Sequence, residues 1–137
     1  MTGLVVCMAV LALAAAYGAV HRRRSGRVRV RGRDGGKQLG TAELGESLGE
    51  RATLVQFSSA FCQPCRATRR VLGEVAGMVP GVRHVEIDAE DRLDLVRALD
   101  ILKTPTVLVL DADGRIVRRA TGQPRKADVI AALGEAV

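Results

Sequence analysis

The chain has no tryptophan, one tyrosine and two phenylalanines in 137 residues. Tyr17 lies in an N-terminal apolar run, so Phe57 and Phe61 are the aromatics left for a folded domain, and its core has to come from Val, Leu, Ile and Ala. Cysteine is scarce as well, with Cys7, Cys62 and Cys65 only. That number does not make the disulfide framework of a small secreted scaffold. Histidine is limited to His21 and His84, so no His pair stands ready to complete a metal site. Acid is missing from His21 to Arg33, where Arg22, Arg23, Arg24, Arg27, Arg29, Arg31 and Arg33 stand. Those arginines exceed the whole net charge of +6, which leaves the remainder slightly acidic. A nucleic-acid-binding domain carries positive charge on its folded part. Here the charge is confined to an arm, which argues against nucleic acid. The length suits one domain of about 100 residues and a tail, not two domains.

What is present begins with an uncharged stretch from Gly3 to Val20. As a helix it would be roughly 27 Å long, close to the ~30 Å hydrocarbon core of a bilayer. A cleaved signal peptide would find small residues at Ala14-Ala15-Ala16, but Met1-Thr2 supplies no basic side chain ahead of the run. A buried core helix would need a polar face, and none interrupts the run. Residues 1–20 are therefore expected to be a transmembrane anchor, with Cys7 a small apolar residue inside it. Because cytoplasmic flanks are rich in Lys and Arg, a single-pass topology with the domain in the cytoplasm is expected. Residues 21–40 read as an Arg-rich juxtamembrane linker, each Arg adding about 1 kcal/mol of attraction near anionic headgroups. Within it Arg27 to Arg31 alternates with period two before Gly32, Asp34, Gly35 and Gly36, a short hairpin against the domain edge.

Residues 41–137 read as one domain. Thr41 is expected to cap a helix to Leu48, with Leu44 and Leu48 inward and Gly49 closing it. Thr53 to Ser58 is a strand, followed by a helix from Cys62 to about Met78. Its apolar stripe is Val71, Leu72, Val75, Met78 and Val79, with Arg66, Arg69, Arg70 and Glu74 in water, and Pro80-Gly81 ends it. Val82 to Asp88 is a second strand, with Val85 and Ile87 inward. Glu90 to Leu99 is helical, with Leu93, Val96 and Leu99 inward. Thr106 to Leu110 is an apolar strand buried on both faces, and Asp111-Ala112-Asp113-Gly114 turns it into a strand from Arg115 to Thr121. The same turn begins like a calcium loop, but Arg115 occupies the next ligand position and the closing Glu is missing. A last helix has Pro124 near its first turn and packs Val129, Ile130 and Leu133. Both strand–helix–strand crossovers are expected to give parallel pairs, and the last two strands an antiparallel hairpin, in a mixed sheet with helices on both faces.

The chemistry concentrates in Phe61-Cys62-Gln63-Pro64-Cys65, where strand runs into helix. A helix N-terminus favours thiolate, so Cys62 is expected to attack and Cys65, about one turn further in, to resolve the mixed disulfide. Pro64 suits the first turn, where its missing N–H costs nothing. As a metal site the pair would be half a tetrahedron without a partner. Lys103-Thr104-Pro105-Thr106 is the second element. A cis Pro105 would turn Thr104's backbone toward the thiols, while a trans proline would simply start the strand.

These residues, with the Asp-Gly hairpin and Gly122, resemble the thioredoxin family from about Leu48 to Val137. Asp34-Gly35-Gly36-Lys37, Leu39, Leu44 and Thr104-Pro105-Thr106 look more like its membrane-tethered reductases. The resemblance implies an α/β thioredoxin fold and thiol–disulfide exchange on protein disulfides, a part of cell redox homeostasis. It implies no metal or organic cofactor beyond the Cys62–Cys65 disulfide, and re-reduction by a thioredoxin-reductase-like or other dithiol partner. Phe61, Gln63, Pro64, Thr104 and Pro105 would then contact substrate. Three positions depart from the family pattern. Phe61 replaces the usual tryptophan and Gln63 the usual glycine. Gln56 and His84 stand where the family carries a buried acid and its lysine, which makes both candidates for proton handling, although Gln cannot accept a proton. A reductase in the cytoplasm is the leading expectation. An exported reductase for extracytoplasmic or cytochrome-type thiols, or a non-catalytic binding module, are the alternatives.

Overall fold

The computed structural model describes residues 1–24, 28–29 and 37–137. Helix α1 (Thr2–Arg24) carries the apolar run. Its segment Thr2–Arg22 has a mean hydropathy of 2.3 and no buried window, long and apolar enough to cross a membrane, as a signal sequence also would be. Strand β1 (Val28–Arg29) follows, then α2 (Thr41–Leu44), β2 (Ala52–Ser58), α3 (Gln63–Met78), β3 (Val82–Asp88), α4 (Leu93–Ala98), β4 (Thr106–Asp111), β5 (Ile116–Thr121) and α5 (Lys126–Ala136).

The strands form one mixed sheet in the order β1-β5-β4-β2-β3. The first crossover gives the expected parallel pair, with Val55 opposite Val85. The second does not: β4 lies antiparallel to β2, with Val55 opposite Leu108. The connection from Asp88 to Thr106, which holds the six-residue α4, brings the chain back to the sheet at the end it left, so β4 runs back along β2. The hairpin of β4 and β5 is antiparallel as expected.

Every β2 side chain is buried, because both faces are covered. Leu54 packs with Leu72 and Val75 of α3, Val107, Val109, and Val129 and Leu133 of α5. Val55 and Phe57 pack on the other face with Val85, Ile87, Leu95, Leu99, Leu108 and Leu110. Aliphatic side chains and Phe57 fill the two layers, and burying each contributes roughly 1.5–3 kcal/mol.

Several helix positions differ from expectation. Gly40, not Thr41, caps α2, its N–H donating to Glu43 Oε2 at 2.8 Å, and Gly45 (φ 74°) ends the helix four residues before Gly49. In α4, which starts at Leu93 and not at Glu90, Leu95 is buried and Leu93 is 53% exposed. Pro124 precedes the Arg125 cap of α5. Ile130 faces water, and Ala132 and Ala136 take the inward places, which brings α5 close to the sheet. Met78, at the end of α3, is exposed. Within the stretch read as linker, Val28 and Arg29 pair with Ala120 and Arg119. Gln38 bridges Arg115 and Leu39 is buried. The rest of the Arg27–Arg31 alternation and Gly32 to Gly36 fall outside the described residues.

The turn between β4 and β5 behaves as a turn. Asp111 Oδ1 accepts from the N–H groups of Asp113 (3.0 Å) and Arg115 (2.9 Å). Gly114 sits at φ 83°, and a Cβ there would stand 2.0 Å from the Leu39 carbonyl oxygen. Gly114→Ala is expected to cost about 3 kcal/mol, from the left-handed backbone and the displaced Leu39 segment. Denaturant midpoints at unchanged slope measure it, and a loss below about 0.5 kcal/mol would contradict the packing described.

Candidate functional site

β2 delivers the chain to the dithiol. Cys62 is the extended N-cap of α3 (φ −111°, ψ 101°), and its Sγ accepts from the Cys65 N–H at 3.2 Å. Cys62 is half-buried and Cys65 is 1% exposed, and the two form a disulfide. Gln63 and Pro64 occupy the first turn with exposed side chains, and the Pro64 carbonyl accepts from Thr68 Oγ1 at 2.8 Å. Phe61 is fully exposed, so it presents a bare ring beside Cys62.

The Thr104–Pro105 peptide is cis. Its loop is tied to the dithiol loop by a 2.9 Å hydrogen bond between the hydroxyls of Thr104 and Ser59. On the other side, the Gly122 N–H donates to the Pro105 carbonyl at 2.8 Å. Ser59 was outside the expected site residues. Its signal in the sequence was a hydroxyl at the strand-to-helix junction, with nothing to say that residue 104 lay opposite.

Gln56 lies directly behind the pair and is fully buried. Its Nε2 donates to the Cys65 carbonyl (2.8 Å) and to Ser58 Oγ (3.0 Å). A carbonyl can only accept, which fixes which end of the amide faces Cys65. Oε1 is then left to face His84 Nε2 at 3.1 Å, so that ring nitrogen carries the proton and donates. The structure thus brings Gln56, His84 and Cys65 into one chain of hydrogen bonds. Burial pushes the His84 imidazole below its ordinary value, against the pull of the nearby Glu86 carboxylate. Arg69 donates to both Glu86 oxygens at 2.5 and 2.6 Å. That guanidinium holds the Glu86 carboxyl below the usual carboxylate range. Among the described residues, no three His, Cys, Asp or Glu side chains gather as metal ligands.

A mixed sheet with a Cys-x-x-Cys pair capping the helix after its central strand, faced by a cis-proline loop, defines a dithiol domain of the thioredoxin fold. The family model described as Thioredoxin matches residues 39–135, and the chain belongs to the thioredoxin family. It is 30% identical over 100 residues to a thioredoxin of Mycolicibacterium smegmatis, covering 71% of this chain and 86% of that one. It is 28% identical over 85 residues to the chloroplastic Thioredoxin M3 of Oryza sativa subsp. japonica, 61% of this chain and 48% of that protein. This chain spans under two thirds of the rice relatives' own lengths, 48% and 63%. Among solved structures, a thioredoxin from Nicotiana alata superposes with a TM-score of 0.57 at 23% identity, covering 64% of this chain and 74% of that one. Mitochondrial thioredoxin 3 of Saccharomyces cerevisiae gives 0.55 at 19%, covering 63% and 79%. At those identities the superpositions speak for the fold alone.

His84 makes a pH prediction. Its folded value is depressed, so the folded state holds fewer protons than the unfolded chain once pH drops below imidazole's ordinary value of about 6.5. Stability is full above that value and falls as pH descends through the folded one. Wild type is expected to lose stability from about pH 7 to about pH 5, and His84→Gln to lose less. Denaturant midpoints at the two pH values decide it; equal losses would contradict the assignment.

Proposed function

We propose that this chain is a membrane-anchored thiol–disulfide oxidoreductase working as a reductase of protein disulfides. The observation that carries the reading is the half-exposed Cys62 at the start of α3 with buried Cys65 one turn behind it. In the reduced state the Cys62 thiolate attacks one sulfur of a substrate disulfide and expels the other as a thiolate. Cys65, as thiolate, then attacks Cys62 Sγ, releases the second substrate thiol and closes the Cys62–Cys65 disulfide. Two electrons pass to the substrate, whose sulfurs take up two protons. A dithiol donor then returns the pair to its starting state by the reverse exchange.

The substrate's extended segment would lie across Phe61, Gln63, Pro64, Thr104 and Pro105. The exposed ring of Phe61 and the tied Ser59–Thr104 loops support that surface. The arginines after the span support a domain on the cytoplasmic side, where thiols are kept reduced. Gln56 cannot accept the Cys65 proton, so that proton leaves to water.

Cys65→Ser is expected to trap mixed disulfides on Cys62 in cells, and Cys62→Ser to trap none. No trapped species, with no turnover of a disulfide protein in vitro, would make the domain a binding module. Gln56→Asp supplies the missing base and is expected to speed turnover on the order of tenfold or more, adding an ionisation to its pH profile. An unchanged rate and profile would remove the proton from the rate-limiting chemistry.

A further inference from the structure

Strand directions sort the ends of the sheet. β2 is parallel to β3 and antiparallel to β4, so Ser58, Asp88 and Thr106 share one end, and Thr121 lies opposite Thr106. Cys62 follows Ser58 and Pro105 precedes Thr106, which makes this the dithiol end. β1 is antiparallel to β5 with Val28 opposite Ala120, so β1 also starts at the dithiol end. The far end confirms the direction of travel, for Gln38 bridges Arg115 there and the Leu39 N–H donates to the Gly114 carbonyl. The anchor therefore enters the domain beside the dithiol, not behind it.

The tether is short. Three residues separate Arg24 of α1 from Val28 of β1, and four Cα steps reach at most about 14 Å in any conformation. Val20 lies about 6 Å before Arg24 along the helix. A domain of about 100 residues has a radius of gyration near 13 Å. With β1 paired, the dithiol end of the sheet is held close to the end of α1.

The surface at this end matches that position. Phe61 is fully exposed and Leu102 87% exposed, which suits the boundary between headgroups and acyl chains. Lys103, Arg125 and Lys126 join Tyr17, His21 and Arg22 of α1 around a cavity of about 910 Å³. Arg125 and Lys126 hold Asp128 and Glu74, and the balance of the lining is positive, complementary to anionic headgroups.

We propose that the dithiol faces the membrane and that its substrate is a disulfide carried at the bilayer surface by another membrane protein. This rests on the oxidoreductase reading above and on α1 spanning the bilayer; the exchange is the same two-electron transfer. The test uses the full chain in liposomes containing phosphatidylglycerol, kept reduced with dithiothreitol. The substrates are a single-span peptide with a disulfide loop directly after its span, the same peptide with a flexible spacer of about 40 residues before the loop, and insulin. The first is expected to be reduced at least about tenfold faster than the second, through its higher effective concentration. A Gly/Ser insertion of about 20 residues between Arg24 and Val28 is expected to abolish that preference and leave insulin reduction unchanged. Equal rates, or a faster spaced substrate, would overturn the proposal. Leu102→Trp, in a chain without native tryptophan, reads orientation independently of activity. Quenching by brominated lipid is expected, and its absence overturns the proposal even in an active protein. Quenching alongside an inert dithiol would support the membrane-facing surface and reject the oxidoreductase reading instead.

Discussion

The site depends on a strand with no side chain in water. β2 is covered by α3 and α5 on one face and by α4 with the Leu39–Leu44 segment on the other. Its register is pinned by a parallel neighbour and an antiparallel one. A strand held on both edges and both faces ends at a fixed point, and Cys62 starts its helix four residues later. The position of the sulfurs therefore follows from aliphatic packing far from them.

The same strand carries a buried amide, Gln56, that its packing has to accommodate. An unpartnered buried amide would cost about 1–3 kcal/mol, but Gln56 spends both its oxygen and its nitrogen on partners. It takes the backbone of Cys65 as one of them, so the burial of a polar group doubles as a grip on the first turn of α3. His84 completes the arrangement because a ring N–H on β3 meets the remaining oxygen. With β2 and β3 in parallel register, residue 84 falls diagonal to residue 56, on the face that α3 covers.

Much of this was legible in the residues. The Cys-x-x-Cys pair between an aliphatic strand and an amphipathic helix fixed the fold class, and the apolar run Thr106 to Leu110 identified a central strand. The direction of β4 was not legible, because no local pattern says at which end of the sheet the chain returns after β3. Helix boundaries in α4 rest on a few weakly periodic residues, so Leu93 was expected inward where Leu95 is. Val28 and Arg29 carried an alternating pattern, yet their pairing with β5 is a long-range contact that local pattern does not encode. The bond between Ser59 and Thr104 is of the same kind: two common hydroxyls, 45 residues apart, meet only after the sheet has formed.

The pairing of β1 with β5 bears on solubility as well as geometry. A sheet has two rims, each a row of backbone groups able to recruit another chain. β3 guards its own rim with Arg83, His84, Glu86 and Asp88 along a half-exposed strand, the charged pattern that discourages edge-to-edge association. On β5 the outward backbone of Arg119 and Ala120 is capped by β1, which follows α1. A protease cut or truncation just after α1 would therefore do more than remove that helix. It would loosen the strand that seals the β5 rim and open that row of backbone groups to another copy of the chain.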